Sequence, residues 1–342
     1  MTGRLCLARQ RGAALLMAML TVTLVATFAA ASLWQQWRSV EVETAERARV
    51  QSSWVLTGAL DWARLILRED VRPGSSASVD HLGEPWAVPL QESRLSSFLA
   101  ADRDHVGDPN DDVDAFLSGQ ITDMQSRLNI TNLVDGAKIS EVSFNAFSRL
   151  FEQLNLPPQE LSLMAENMVL AAQATAATGS ATDAGGSGAT GATGATGPLV
   201  PQRADQLGWL GLSPITVAAL QPFVTVIASR TPVNLNTASV EVLQASIPGI
   251  GRSDAQRLVT ARARNPFRTV ADAKAQLTQD AVQLSDSEHS VTSRFFEVEG
   301  RLRTGANIVV ERSMVQRDGI NVKTVWRERT AATPAAALAA VR

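Results

Sequence analysis

An uncharged apolar stretch near the N-terminus, from Ala13 to Trp34, constrains this chain more than any other feature of its sequence. As an α-helix it would extend about 33 Å at ~1.5 Å per residue, enough to cross the hydrocarbon core of a bilayer. The positive-inside tendency predicts a cytoplasmic N-terminus, with the rest of the chain on the other side of the membrane. That prediction uses the charges on either side of the stretch: Arg4, Arg9 and Arg11 before it, and Glu41, Glu43 and Glu46 with Arg38 after it.

The stretch admits three interpretations, which differ in how the N-terminus is processed. It can be a cleaved secretory signal with Ala29-x-Ala31 as the small-residue cleavage site, or a simple membrane anchor. It can also be the apolar segment behind a prepilin leader, which is short and basic, ends in Gly and is cut on the cytoplasmic face. Arg9-Gln10-Arg11-Gly12-Ala13 follows that pattern, so we predict cleavage between Gly12 and Ala13.

The rest of the chain alternates between helical and strand-like patterning. The helical pattern continues to about Arg68, before a break at Pro73-Gly74. Apolar residues alternate in part at 116–133 and again at 291–329, which predicts strands of an antiparallel sheet. The region between these sets of strands has mostly helical spacing. The sequence therefore predicts an α+β core with a large helical insertion.

Four short motifs occur in this chain in the order in which a known family has them, and together they resemble the minor pseudopilin K of type II secretion systems (general secretion pathway protein K). The resemblance implies a pilin-like long N-terminal helix plus an antiparallel sheet, with a large inserted α-helical domain. The motifs are Arg11–Leu16 without an acid at Met17, Gly119–Asp123 leading into Asn129–Leu133, Thr231–Ala238 with Val242-Leu243, and Ser293–Phe296.

On this basis we divide the chain into a leader, a pilin-like core in two parts, and an insertion. Within the insertion, a Gly/Ala/Thr-rich segment cannot bury apolar surface and predicts a flexible linker. The predicted boundaries are 1–12 for the leader, 13–34 for the transmembrane part of the first helix, 35–140 and 286–330 for the core, 141–285 for the insertion, 174–202 for its linker, 238–275 for a helix-hairpin-helix-like segment, and 331–342 for a loose tail.

The resemblance also implies a function without catalysis. A member of this family would sit at the tip of the pseudopilus and help to initiate its assembly, for export of folded proteins across the outer membrane. Its partners would be minor pseudopilins of the I and J types, with the H-type and major pseudopilins as further candidates. Prepilin peptidase would release Ala13, whose amine would be methylated. The protein would be single-pass in the bacterial inner membrane, with its C-terminal domain in the periplasm.

The residues behind the predicted cleavage site are candidates for helix packing in a tip complex: Leu15, Leu16, Met17 and Leu20. Most pilin-like proteins carry Glu at the fifth mature position, where it is thought to neutralise the terminal amine of a neighbouring subunit. This chain has Met17 there. A subunit without that carboxylate lacks a partner for one neighbour's amine, which suits an end of the filament.

A helix-hairpin-helix-like pattern centres on Ile247-Pro248-Gly249-Ile250-Gly251. Gly249 tolerates positive φ, and the amides of Gly251 and Arg252 would begin a second helix, where amides can bind a DNA phosphate. Residues 249–274 carry six basic and two acidic side chains, a net charge of +4. The alternative function is therefore a membrane-tethered periplasmic DNA-binding protein of the DNA-uptake type. The other interpretation is that the turn only packs two helices, and nucleic acid is not an expected partner.

Neither a metal site nor an active site is predicted. Asp108, Asn110 and Asp112 imitate the opening of a calcium loop, but Val113 and Gly119 stand where its Gly and bidentate Glu should be. Family members with a calcium site carry an Asp-Trp-Ile-Asp-x-Asp stretch that 163–182 lacks, so no calcium or other cofactor is predicted. The three histidines have no paired ligand three or four positions away and no nucleophile arrangement with Ser or Cys, and the single cysteine excludes an intramolecular disulfide. We therefore predict that the protein is not an enzyme.

Overall fold

A computed structural model describes residues 11–71, 79–95, 115–181, 197–277, 284–305 and 307–332. The chain divides into two units, Met1–Thr57 and Gly58–Arg342, and each is described by itself. The helices are α1 (Arg11–Glu69), α2 (Glu141–Gln153), α3 (Pro158–Ala181), α4 (Pro214–Leu220), α5 (Val240–Ser246), α6 (Arg252–Arg264) and α7 (Val270–Lys274). The strands are β1 (Leu90–Arg94), β2 (Ala115–Asp123), β3 (Leu128–Asn129), β4 (Val134–Asp135), β5 (Lys138–Ile139), β6 (Val224–Thr225), β7 (Val233–Asn234), β8 (His289–Ser290), β9 (Phe295–Thr304), β10 (Asn307–Asp318) and β11 (Asn321–Ala332).

The first unit consists of the N-terminal part of α1. Its large apolar side chains from Leu15 to Val50 are exposed, and within the described residues α1 from Ala13 to Glu69 is the one helix that is long and apolar enough to cross a membrane. The hydroxyls of Thr21, Thr23 and Thr27 donate to carbonyl oxygens one turn earlier, at 2.9–3.0 Å. The polar groups of these side chains are therefore satisfied within the helix, as an apolar surrounding requires.

The second unit contains the last turns of α1 and a five-stranded antiparallel sheet in the order β1-β2-β9-β10-β11. Gly119 of β2 lies opposite Gly300 of β9, and a Cβ at Gly119 would come within 2.8 Å of the Glu299 carbonyl oxygen. The strands therefore approach too closely for a side chain there. The core between helix and sheet is formed by Leu60, Ala63, Leu67, Trp86, Phe296, Val298, Val315 and Val322.

A second core lies in the helical block, between β2 and β9 in the chain. Its buried side chains come from α2, α3, α5 and α6, and they include Phe147, Leu150, Phe151, Met164, Leu243 and Leu258. The antiparallel sheet, the long first helix and the helices between the two sets of strands confirm the predicted fold class, and α1 ends at Glu69, one residue after the predicted end.

The chain between Asp123 and Leu133 differs from the strands predicted over 116–133, where the sequence pattern indicates a break only at Gly119. The Asp123 carboxylate accepts a hydrogen bond from Gln125 N at 2.7 Å, and the Asn129 amide oxygen accepts one from Thr131 N at 3.2 Å. Each bond closes a 3₁₀ turn, at Met124–Ser126 and Ile130–Leu133. Side-chain capping by Asp and Asn thus competes with the sheet ladder, and it leaves only the short β3.

Two predicted flexible regions overlap regular structure. The helix α3 continues to Ala181, inside the predicted linker 174–202, of which 182–196 lies outside the described residues. The strand β11 includes Ala331 and Ala332 of the predicted tail, and 333–342 also lies outside them.

We expect Leu67→Ala to lower the free energy of unfolding by about 2–5 kcal/mol, because Leu67 is fully buried between α1 and the sheet. The matched control is Leu65→Ala on the same turn of α1, since Leu65 is 47% exposed and its truncation should cost less than about 1 kcal/mol. Urea unfolding of the full chain in detergent measures both. Equal losses in the two variants would contradict this packing.

Candidate functional site

The Asp123 carboxylate is fully buried at the end of β2 and lies at the centre of a polar network. It accepts hydrogen bonds from Thr237 Oγ1 and Ser293 Oγ at 2.6 Å each, from Asn234 Nδ2 at 3.0 Å and from Gln125 N at 2.7 Å. Burial raises the pKa of Asp123 to about 6, and the hydrogen bonds from Ser293 and Thr237 oppose that rise. The motif residues are therefore brought together, although 170 positions separate Asp123 from Ser293.

Asn234 and Asn236 connect this network to the helical block. Asn234 is fully buried, and its Nδ2 also lies 3.1 Å from the Asp80 carbonyl oxygen and 2.9 Å from Ser293 Oγ. Asn236 Nδ2 donates to the Phe267 carbonyl oxygen, and Phe267 N donates to Asn236 Oδ1, each at 2.9 Å. The paired amide imitates a backbone pair of a sheet. The motif from Thr231 to Ala238 therefore links the sheet to the segment after α6.

Two further asparagines hold the loop after β6. Asn129 Nδ2 donates to the Ser229 carbonyl oxygen at 2.8 Å, and Ile227 N donates to Asn129 Oδ1 at 3.0 Å. Asn132 Nδ2 donates to the Thr231 carbonyl oxygen at 2.8 Å, and Thr231 N donates back to Asn132 Oδ1 at 3.1 Å. Asn129 and Asn132 thus satisfy backbone groups that are removed from water, which is a structural role.

Sequence reasoning missed a charged cluster beside this network. The Arg317 guanidinium pairs with Asp70 at 2.8 Å and with Asp80, and it donates to the Ser293 carbonyl oxygen at 2.9 Å. Ser293 N in turn donates to the Asp80 carboxylate at 2.7 Å. These charges come from distant parts of the chain, and no spacing pattern marks them in the sequence.

Three carboxylate oxygens, one each from Asp70, Asp80 and Glu84, lie within 4.8 Å of one another. Three such oxygens could serve as ligands of a metal ion. The positive charge beside them is already supplied by Arg317, so we assign them no metal. The acidic loop singled out in the sequence, with Asp108, Asn110 and Asp112, lies outside the described residues.

The predicted packing residues near the N-terminus lie on α1, which begins at Arg11 and so includes Gly12 and Ala13. Leu15, Leu16, Met17 and Leu20 are 61–69% exposed. Leu16 and Leu20 are one turn apart and share a face of the helix. An apolar helix surface of this kind requires lipid or other helices around it.

The helix-hairpin-helix-like segment forms α5, a tight turn and α6. Gly249 has φ +82°, as the turn requires, and Gly251 is the N-cap of α6. Gly251 N donates to the Asp254 carboxylate at 3.2 Å, and Asp254 also pairs with Arg257. The amide that the sequence pattern assigns to a phosphate is therefore occupied by a carboxylate of the same helix, which would repel an anion.

Three of the six basic side chains of this segment, those of Arg252, Arg257 and Arg262, also have partners within the protein. Arg252 is exposed and lies 3.4 Å from Glu241. Arg262 is buried, donates to the Leu235 carbonyl oxygen at 2.6 Å, and has its pKa lowered to about 10 by burial. Ala255 and Leu258 of α6 belong to the core of the helical block. This geometry favours the interpretation that the turn packs two helices.

We expect Asp123→Ala to lower the free energy of unfolding by at least about 3 kcal/mol, because it leaves the buried donors of Asn234, Thr237 and Ser293 without their acceptor. Asp135→Ala is the control, since its carboxylate is largely exposed and its pairing with Arg230 is worth less than about 1 kcal/mol. Urea unfolding again measures both. A loss at Asp123 no larger than that at Asp135 would contradict the network's importance.

Comparison with known proteins relates this architecture to one family. Two family models, each described as type II secretion system (T2SS), protein K, match residues 126–229 and 233–292. The chain is 29% identical over 314 residues to type II secretion system protein K of Pseudomonas aeruginosa, covering 90% of this chain and 89% of that protein. Its fold is similar to a chain in the crystal structure of the GspK-GspI-GspJ complex of the enterotoxigenic Escherichia coli type 2 secretion system, with a TM-score of 0.61, 16% identity, and coverage of 84% of this chain and 98% of that one. The chain is therefore similar to type II secretion system protein K in both of these regions and over nine-tenths of its length.

Proposed function

We propose that this chain is a minor pseudopilin without catalytic activity, which joins minor pseudopilins of the I and J types at the tip of a type II secretion pseudopilus and helps to start its assembly. Its similarity to type II secretion system protein K and the exposed apolar segment of its first helix support this role. A structurally similar chain was crystallised in a complex with GspI and GspJ, which supports the choice of partners.

The observation that carries the proposal is the combination of an exposed apolar segment at the start of α1 with a folded unit whose motif residues form internal hydrogen bonds. Leu15, Leu16, Met17 and Leu20 offer apolar surface that the protein itself does not cover. Burial of one such side chain against a partner helix contributes about 1.5–3 kcal/mol. The free energy of assembly would therefore come from packing of the membrane segment. Met17 stands where most pilin-like proteins have an acid, which suits a subunit at the end of the filament.

The helical block supports a terminal position in the filament. It is inserted between β2 and β9, and the hydrogen bonds of Asn234 and Asn236 fix it to the sheet. A rigid block of this size on a pilin-like unit would hinder addition of a further subunit in the orientation of a plain pilin. The chain would thus begin a pseudopilus and would not extend one.

We expect the mature protein to begin at methylated Ala13 and to lie in the inner membrane with a periplasmic C-terminal unit. Mass spectrometry of the protein from its own membranes, with and without prepilin peptidase, measures the N-terminal residue. A start at Ser32 would make it an ordinary exported protein, and an intact Met1 a simple anchored one. Either result would contradict the pseudopilin route.

We expect Leu16→Glu to abolish tip assembly, because an unpaired carboxylate among apolar helices costs several kcal/mol. The measurement is secretion of exoproteins by cells that carry only the variant, after fractionation has confirmed that it still reaches the membrane. Ile215→Glu is the matched control, since Ile215 is 80% exposed on the folded unit and its substitution should leave secretion unchanged. Normal secretion with Leu16→Glu would rule out the packing role.

A further inference from the structure

The charged cluster beside the sheet contains more negative than positive charge. Asp70 at the end of α1, Asp80 and Glu84 place carboxylate oxygens within 4.8 Å of one another. Arg317 of β10 pairs with Asp70 and Asp80, and no ion pair joins it to Glu84 in the part of the chain that the structure describes. When all three acids are ionised, one guanidinium therefore faces three carboxylates in a buried position.

Glu84 is the acid best placed to hold a proton. Its side chain is buried, Oε2 accepts hydrogen bonds from Trp86 Nε1 at 2.6 Å and His81 N at 3.1 Å, and Oε1 lies 3.8 Å from His81 Nε2. Burial raises the pKa of Glu84 to about 7, the two hydrogen bonds oppose that rise, and the charges of Asp70 and Asp80 add to it. Glu84 therefore changes its charge near neutral pH.

The segment that carries Glu84 covers one end of the sheet core. Trp86 is 1% exposed and meets Phe296 edge to face, with ring centroids 5.2 Å apart. Asp80 N donates to the Val291 carbonyl oxygen at 2.9 Å. The Arg317 guanidinium lies 4.8 Å from the centre of the Phe296 ring, which is the partner of Trp86. The charged cluster and the aromatic pair are thus one packed unit, and repulsion in the cluster acts directly on that packing.

We propose that Asp70, Asp80, Glu84 and Arg317 form a proton-sensitive latch, which holds residues 79–88 on the sheet while Glu84 is protonated and loosens them when Glu84 ionises. The latch goes beyond the proposed function and does not depend on it. Among the described residues, the other charged groups that face it are His81 on the same segment, Arg294, which lines the same cavity as Asp70, Asp80 and Arg317, and, on the far side of Ser293, the Asp123 carboxylate of β2.

The direction of the pH dependence follows from the raised pKa. The closed segment binds the Glu84 proton more tightly than an open segment, where the carboxyl has its ordinary pKa of 4.5. The stabilisation by the proton is therefore complete below about pH 4.5, decreases as the pH rises through 7, and is absent well above 7. With these two pKa values, the opening equilibrium increases about ten-fold between pH 6 and pH 8.

Hydrogen–deuterium exchange measures that opening in peptides covering 79–90. The full chain is exchanged in detergent, the uptake is read by mass spectrometry, and the rates are corrected for the intrinsic exchange rate at each pH. We expect about a ten-fold increase from pH 6 to pH 8 in the wild type, and no pH-dependent increase in Glu84→Gln, which keeps the shape and removes the titration. A flat wild-type response, or an unchanged pH dependence in Glu84→Gln, would overturn the latch.

Two matched variants exclude other titrating groups. Glu288→Gln removes a carboxyl whose pKa is also raised by burial but which lies outside the cluster, and His81→Gln removes the imidazole beside Glu84. Both should retain the ten-fold response. Loss of the response in either variant would assign the effect to that residue and overturn the role of Glu84.

Trp86→Phe tests the latch independently, including the case in which Glu84→Gln does not fold. It keeps an aromatic ring against Phe296 and removes the N–H that stabilises the ionised carboxylate. The midpoint of the opening curve should move to higher pH, whatever the change in overall stability. An unmoved midpoint would show that Glu84 does not control the opening.

Discussion

The buried carboxylate of Asp123 is the interaction on which the rest of the folded unit depends. It accepts hydrogen bonds from three side chains that belong to two separate parts of the chain, Asn234 and Thr237 in one motif and Ser293 in another. The donors are neutral, so the carboxylate is held by hydrogen bonding in a low-dielectric environment, where each bond is strong and each missing one is costly. This requirement fixes the relative positions of the sheet, the helical block and the final strands.

The network also explains how two separate apolar cores act as one folded unit. One core lies between α1 and the sheet and the other within the helical block. The side chains of Asn129, Asn234 and Asn236 join the two cores through hydrogen bonds, which are directional. A directional connection of this kind suits a structural subunit, because it holds the sheet and the helical block in one relative position. It leaves the first helix to supply the surface for partners.

The sequence predicted the features that depend on local pattern or composition. The apolar stretch from Ala13 to Trp34 requires a long helix whatever surrounds it, and the alternation after Val291 requires strands. The phosphate contact that the hairpin pattern offers as an alternative stays a prediction. The interaction of Asp254 with the amide of Gly251, which weakens that alternative, is visible only when the turn is built. The strands predicted up to Leu133 stop at Asp123, since capping by a side chain competes with sheet pairing and neither propensity nor alternation measures that competition.

The site could be predicted only as a set of motifs. The residues quoted for the family resemblance include Asp123, Asn234 and Ser293, but nothing in their spacing says that they meet. Arg317, Asp70 and Asp80 could not be found at all, because an ion pair between distant positions leaves no periodic signal in a single sequence. Ion pairs between residues far apart in the chain are therefore known from the structure and could not be predicted from the sequence.

The central claim is that this chain assembles with other minor pseudopilins through its first helix. Native mass spectrometry tests it most directly. The chain is co-expressed with minor pseudopilins of the I and J types, and the proteins are released from membranes in mild detergent. The account predicts a complex that contains one copy of each of the three proteins. Recovery of this chain alone, or only as an assembly of its own copies, would contradict it.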